Sequence, residues 1–293
     1  MYQEIKRNKI KTWLIMFGFL AIAGFVGYIG YMITGSKGTI ISVLAGSLIY
    51  SLISYFMASR TALALNGARE IKKSDNPNLY RVVENISIET GMPMPKVYIM
   101  DDPAPNAFAT GRNPKDSYVC ATSGLLEIMT DTELQGVMAH EMGHVQNYDI
   151  RVNMIAFALV SVISVLSDIV LRMTFFGNND DDGNSNPIFM VIGIVGLILA
   201  PLAASLTQLA ISRKREYLAD ATGALTTRYP EGLASALEKI GKVGSVTRKA
   251  NTGTAHMFFA NPLKPGMLKG LFSTHPPIED RIARLRGMNL NGK

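Results

Sequence analysis

The sequence predicts a mainly helical α+β protein with a small antiparallel sheet, carried on four transmembrane helices arranged as two hairpins. Three observations predict it. Two uncharged runs of about 22 residues, Trp13 to Thr34 and Gly38 to Ser59, stand either side of a short GSKG turn, and each exceeds the roughly 20 residues that a bilayer-crossing helix needs. Short β-branched and aromatic runs bounded by Pro, Gly and Asn follow, and helical periodicity with clear capping signals dominates the remainder. The chain is 48% hydrophobic and only 18% charged, which is lopsided for a soluble globular protein.

The first span carries an AIA tripeptide at Ala21 to Ala23 that resembles a signal-peptide processing site. Its apolar stretch continues to Thr34, well beyond a cleavable leader's apolar region, so the span is expected to stay as an anchor. After the second span a helical stretch ends near ETGMPMP, where Gly91, Pro93 and Pro95 force a stop. KVYIM then reads as a strand, DDPAPN as a turn, AFATGR as a second strand, and SYVCATSGLLEIM as a third strand leading into a helix. The next helix starts at Thr130, with Glu133 completing a capping box and Asp131 adding negative charge to the first turn. Leu134, Met138, Met142 and Val145 line one face, and His140 and His144 fall roughly 140° from that stripe.

A second apolar pair follows. Val152 to Ser167 continues past Asp168 to Leu171, and Ile188 to Ile211 is uncharged but holds Pro201. A hairpin buried in a soluble core is the competing reading, because Asn153 and Asp168 are costly in lipid unless they face protein or an interface. The connecting FFGNNDDDGNSNP is acidic, whereas Arg151, Arg213, Lys214, Arg215, the N-terminal lysines and Arg60 to Lys73 make the flanks basic. By the positive-inside rule both termini and the soluble segments face the cytoplasm. The expected organisation is therefore a transmembrane hairpin over 1–59, the first part of a cytoplasmic domain over 60–151, a second hairpin over 152–211, and the rest of the domain over 212–293.

The single cysteine, Cys120, excludes an intramolecular disulfide and agrees with a reducing compartment. A net charge of +6 could suggest nucleic acid, but no aromatic-interleaved basic motif or zinc-finger spacing is present, and an anionic leaflet accounts for the balance. Gly241 to Gly270, rich in Gly, Lys and Thr, reads equally as a lid or a plain linker.

The chemistry centres on AHEMGH. Histidines at i and i+4 on a helix can reach one ion, and zinc held by three protein ligands keeps a position open for water. Glu141, between them, can take that water's proton. A third ligand must come from Cys120, His256, His275 or a carboxylate. Glu216 in RKREYLAD is the best placed, because the second hairpin returns the chain to the membrane surface where His144 left it. Asp220, one turn later, can hydrogen-bond a ligand histidine.

HEMGH, a pair of apolar segments, EYLAD and a late STHPPIEDRI together resemble the M48 family of zinc endopeptidases, in particular its membrane-bound bacterial stress-protease branch. The resemblance covers essentially the whole chain. It implies a gluzincin-like zincin fold and one zinc ion held by His140, His144 and Glu216, with Glu141 as general base and Asp220 supporting a ligand. It also implies that His275 stabilises the oxyanion or reaches the metal in a resting state, that Arg281 helps hold the site or the substrate, and that Asn106 starts an edge strand pairing with an extended substrate. The implied setting is a multi-pass protein of the bacterial cytoplasmic membrane, its catalytic domain facing the cytoplasm. The implied partners are the bilayer and polypeptide or damaged membrane-protein substrates, with no nucleic acid and with homo-oligomerisation left open. Intramembrane proteolysis would bury HExxH within a span, yet His140 and His144 sit among Asp131, Glu133, Gln146, Asn147 and Asp149. An inactive metal-stabilised scaffold would have no use for Glu141.

Overall fold

The computed structural model describes residues 2–176, 213–249, 253–263 and 275–288. The acidic segment and the apolar run Ile188 to Ile211 lie outside the described residues, as do parts of the expected lid region. By contacts the chain divides into two units: Met1–Asn8, Ser59–Met154 and Ala210–Lys293 in one, and Lys9–Ala58 with Ile155–Leu209 in the other.

The second unit contains most of α1 (Tyr2–Thr34) and α2 (Lys37–Leu65). Gly35, at φ 69°, ends α1 in the left-handed conformation that glycine tolerates. Among the described residues one helix, α2, is long and apolar enough to cross a membrane, and only 6% of its most apolar window is buried. A helix in a soluble core would be mostly enclosed. Trp13, Leu14, Phe17, Ile41, Ile53 and Phe56 are large apolar side chains left exposed on these helices.

The first unit is helical around a four-stranded sheet. It comprises β1 (Ala68–Glu70), α3 (Pro77–Thr90), β2 (Lys96–Met100), β3 (Ala107–Asn113), β4 (Asp116–Thr122), α4 (Ser123–Ile128) and α5 (Asp131–Gln146). The start of α6 (Asp149–Phe176), then α7 (Arg213–Thr227), α8 (Pro230–Val243), a short 3-10 turn (Ala255–Met257) and α9 (Ile278–Arg286) complete it. The expected stop at Gly91 and capping box on α5 are present, and a cap at Asn76 joins them. Asn76 accepts from Leu79 N ahead of Pro77, and Gly91 closes α3 with φ 65°. Thr130 and Glu133 form both halves of the capping box on α5.

The sheet corrects one expectation. Its order is β1-β2-β4-β3, with β1 and β3 paired antiparallel to their neighbours but β2 and β4 parallel, Lys96 opposite Tyr118 and Met100 opposite Thr122. It is a mixed sheet. The segment between β2 and β3 is long enough to carry the chain past one strand position, so β3 lands at the edge and β4 returns into the space between. Residue pattern specifies strands; the connection decides their order.

Leu79, Val83 and Ile86 of α3 pack with Leu134, Val137 and Met138 of α5 and with Leu233, Leu237 and Ile240 of α8 in one core. Each such side chain contributes about 1.5–3 kcal/mol through removal from water. The helix α5 packs against α3, α7, α8 and β3, so its histidine face is enclosed as well. His140 and Glu141 are buried along with the apolar stripe.

Candidate metal centre

The floor of the centre is α5, whose helical spacing sets the His140 and His144 rings edge to face with centroids 4.7 Å apart. Their Nε2 atoms are 3.2 Å from each other. From α7, Glu216 brings one carboxylate oxygen to 3.4 Å from His144 Nε2 and the other to 3.8 Å from His140 Nε2. One ligand atom from each of the three residues lies within 4.8 Å of the others.

The outer nitrogens explain why the inner ones face inward. His140 Nδ1 lies 2.9 Å from Asp220 Oδ1, and His144 Nδ1 lies 3.0 Å from Asp149 Oδ2. A carboxylate can only accept, so each contact assigns the ring proton to Nδ1. With both rings neutral, as ligation requires, each Nε2 is then a lone pair pointed at the other. Two acceptors at that separation repel unless a cation lies between them, and two nitrogens on one tetrahedral zinc stand about 3.3 Å apart. Among the described residues, Glu216 Oε2 and both oxygens of Glu141 are buried with no hydrogen-bond partner of ordinary geometry. The donor set therefore fits a divalent ion.

Electrostatically the two rings differ in the protein without its ion, and His144 has a proton to lose on ligation. Burial, reinforced by the Arg281 charge, holds the His140 imidazole down at about 4 against the pull of Asp220, leaving it neutral and able to ligate. Burial alone would lower His144 too, but Glu216 and Asp149 outweigh it and raise this ring well above its ordinary value. Burial raises Glu216, yet the facing His275, His144 and His140 outweigh that and keep its carboxyl well below the usual range. Burial and the Glu216 charge push Glu141 up to about 8, with His144 and Arg281 opposing. These values belong to the protein without its ion, and a nearby cation lowers the Glu141 carboxyl from there.

The remaining expected residues fall into two groups. His275 reaches the centre, its Nε2 3.6 Å from Glu216 Oε2. Arg281 reaches it both directly, with Nη1 3.9 Å from Glu216 Oε2, and through Asp220. Its guanidinium forks onto Asp220, with Nε donating to Oδ2 at 2.9 Å and Nη2 to Oδ1 at 2.7 Å, and it is 1% exposed. In this arrangement it braces Asp220 and is closed to a substrate. Asn106 is fully buried just before β3 and is likewise committed. Its Nδ2 donates to Ala260 O at 2.8 Å and Ser245 O at 3.2 Å, and its Oδ1 accepts from Ala260 N at 3.1 Å.

Those bonds hold a strap that residue patterns did not reveal. Phe258 pairs antiparallel with Phe108 on the outer edge of β3, and Phe259 N donates to Ala107 O at 2.7 Å. The Phe259 ring stands edge-on to His140, centroids 4.9 Å apart. Part of the region read as lid or linker is thus bound to the edge expected to take substrate. Asp149 was also missed as a histidine partner. Its signal was an acid just beyond the second histidine, but it depends on Tyr148 adopting φ 60°, which turns the chain back between α5 and α6.

Residues 73–289 match the family model described as Peptidase family M48. The chain is 54% identical over 289 residues to "Protease HtpX homolog" of Tropheryma whipplei (strain Twist), covering 98% of each. It is 49% identical over 298 residues to the homolog of that name in Lactobacillus acidophilus, covering 98% of this chain and 100% of the relative. The corresponding values for Dictyoglomus turgidum are 46% over 289 residues, covering 98% and 94%. Among solved structures, the crystal structure of S. mikatae Ste24p aligns with a TM-score of 0.49 at 20% identity, covering 97% of this chain and 67% of that one. With its histidine pair, distant glutamate and near full-length relatives in place, the chain belongs to peptidase family M48 and is a protease.

Proposed function

We propose that this protease is a zinc metalloendopeptidase anchored in the bacterial cytoplasmic membrane by two helical hairpins, cleaving damaged or misfolded membrane proteins on the cytoplasmic side. The convergence of His140, His144 and Glu216 around two inward-facing imidazole lone pairs carries the reading. These three residues would hold the ion. The long, exposed apolar surface of α2 and the basic flanks support the anchoring and its orientation.

Zinc, when bound there, supplies Lewis acidity to the scissile carbonyl and eases deprotonation of a water. The chain's own residues do the rest. Glu141, buried between the two histidines on α5, accepts the water's proton and passes it to the departing amine nitrogen. His275, beside Glu216, donates toward the carbonyl oxygen as negative charge develops on it. Asp220 and Asp149 hold the two ligand rings with Nδ1 protonated, and Arg281 keeps Asp220 ionised and aimed. The outer edge of β3 offers an extended peptide backbone hydrogen bonds, provided that Phe258 to Ala260 give up their place on it.

Glu141→Gln tests the reading. It should keep zinc at one ion per chain, measured by elemental analysis after dialysis, while cleavage of an unfolded membrane-protein substrate in liposomes is lost. Undiminished cleavage would reject Glu141 as the base, and zinc retained by His140→Ala would reject the ligand set.

A further inference from the structure

We infer that Asn8 is a positioning residue of the metal centre, acting through Asp149 on His144. Asn8 lies near the start of α1 and is 1% exposed. Its Nδ2 donates to Asn147 O at 3.1 Å and to Asp149 Oδ1 at 2.9 Å, 139 and 141 residues away in sequence. Asp149 uses its other oxygen, Oδ2, on His144 Nδ1. The two oxygens are thereby given separate tasks, one anchored by Asn8 and one orienting the imidazole. Arg215 Nε adds a positive charge 3.8 Å from Oδ1.

Asn147 caps the end of α5 and Asp149 opens α6. Tyr148, between them, adopts φ 60°, a left-handed conformation that is strained for a side-chain-bearing residue and persists where neighbours over-determine it. Asn8 grips the chain on both sides of that residue. The same turn is what brings Asp149 back to His144. Chemistry selects the side chain: a primary amide carries two hydrogens on one nitrogen, one for the carbonyl and one for the carboxylate. An aspartate at position 8 would instead present only acceptors to two acceptors.

The inference rests on the zinc reading above, and its test separates the two. The full chain in lipid nanodiscs is compared with Asn8→Ala, Asn8→Asp, Asp149→Ala and the Asn8→Ala/Asp149→Ala double variant. Zinc affinity is measured by chelator competition, and ligand geometry by the visible absorption of the cobalt form. Loss of an outer partner of a ligand histidine lowers metal affinity about 10- to 100-fold, which is the expectation for Asp149→Ala. Asn8→Ala, one bond further out, should weaken zinc about 3- to 10-fold and shift the cobalt bands, with little change in the melting of the metal-free protein. Asn8→Asp should be weaker still, and the double variant no weaker than Asp149→Ala alone. Affinity within twofold of wild type for Asn8→Ala, or multiplying losses in the double variant, would overturn the inference. Should Asn8→Ala not fold, Asn8→Ser carries the same thresholds. Failure of the unaltered chain to bind zinc would instead overturn the metal reading.

Discussion

The separation of α5 and α7 sets the distance between the histidines and Glu216, and it is fixed by backbone contact at Gly223. A methyl group there would stand 3.0 Å from His140 N and 3.2 Å from His140 Cα. Carbon contacts relax to about 3.5–4.0 Å, and backbone cannot rotate aside, so Gly223→Ala must move α7 away by about half an ångström. Overpacking of that kind costs about 1–3 kcal/mol, and alanine's helix propensity recovers about 1 kcal/mol. The net loss is on the order of 1 kcal/mol, a fall in melting temperature of a few degrees. Glu216 rides on the same helix about two turns earlier, and a site holds its geometry only within about 0.5 Å, so zinc affinity should drop roughly tenfold. Gly143, on the facing helix between the two histidines, is the control: a methyl there meets Thr222 Cβ at 3.4 Å and Ala219 Cα at 3.5 Å, which is ordinary contact. Gly143→Ala should hold zinc normally and melt no lower than wild type. Chelator competition and thermal unfolding of both variants decide the matter. Equal zinc affinity and equal melting in the two would refute the claim that this contact spaces the ligands.

Three further outcomes follow from buried polar groups. Burial raises the Glu133 carboxyl, but Lys239, Ser235 and Thr130 outweigh it and hold it at about 2, against an ordinary 4.5. The resulting stability is present above the ordinary value and lost as pH falls toward 2. Lys239 is 38% exposed, so the apparent 3 kcal/mol or so of the shift reduces to about 1–2 kcal/mol. Urea unfolding should therefore separate Glu133→Gln from wild type by that amount at pH 7 and by much less at pH 3. Arg281→Ala strands Asp220 in the interior and should cost about 3–5 kcal/mol, read by chemical denaturation, and Arg281→Lys should not restore it because lysine lacks the two-pronged fork. Asn106→Ala removes the hydrogen bonds to Ser245 and Ala260, at about 1–3 kcal/mol, so hydrogen exchange at the Phe259 amide should quicken at least about fivefold while His140 and His144 still bind zinc.

What the sequence made legible was local in character. A capping box and a glycine stop act within one turn of chain, so the end of α3 and the start of α5 could be placed from Gly91, Thr130 and Glu133. HExxH is local in the same sense, because the i, i+4 relation on a helix fixes two ligands without reference to any other segment. Glu216 and Asp220 were reachable because they share a helix with that same spacing. Asn106, Asp149 and Asn8 were not readable as what they are, since each acquires its partner through a turn or a return path that leaves no periodic trace. The strand order β2-β4-β3 depends on the reach of one connection, and β1 is only three residues long.

The centre is held in place by asymmetric means that follow from this division. His140 is fixed from the C-terminal side, through Asp220 and Arg281 of α7 and α9. His144 is fixed from the N-terminal side, through Asp149 and Asn8 of α6 and α1. The two imidazoles come from one short motif, but each is aimed by a segment from a different end of the chain. Disturbing either end should therefore loosen one ring while leaving the other oriented, and the affinity for an added zinc ion, which would need both, would report the integrity of the whole assembly.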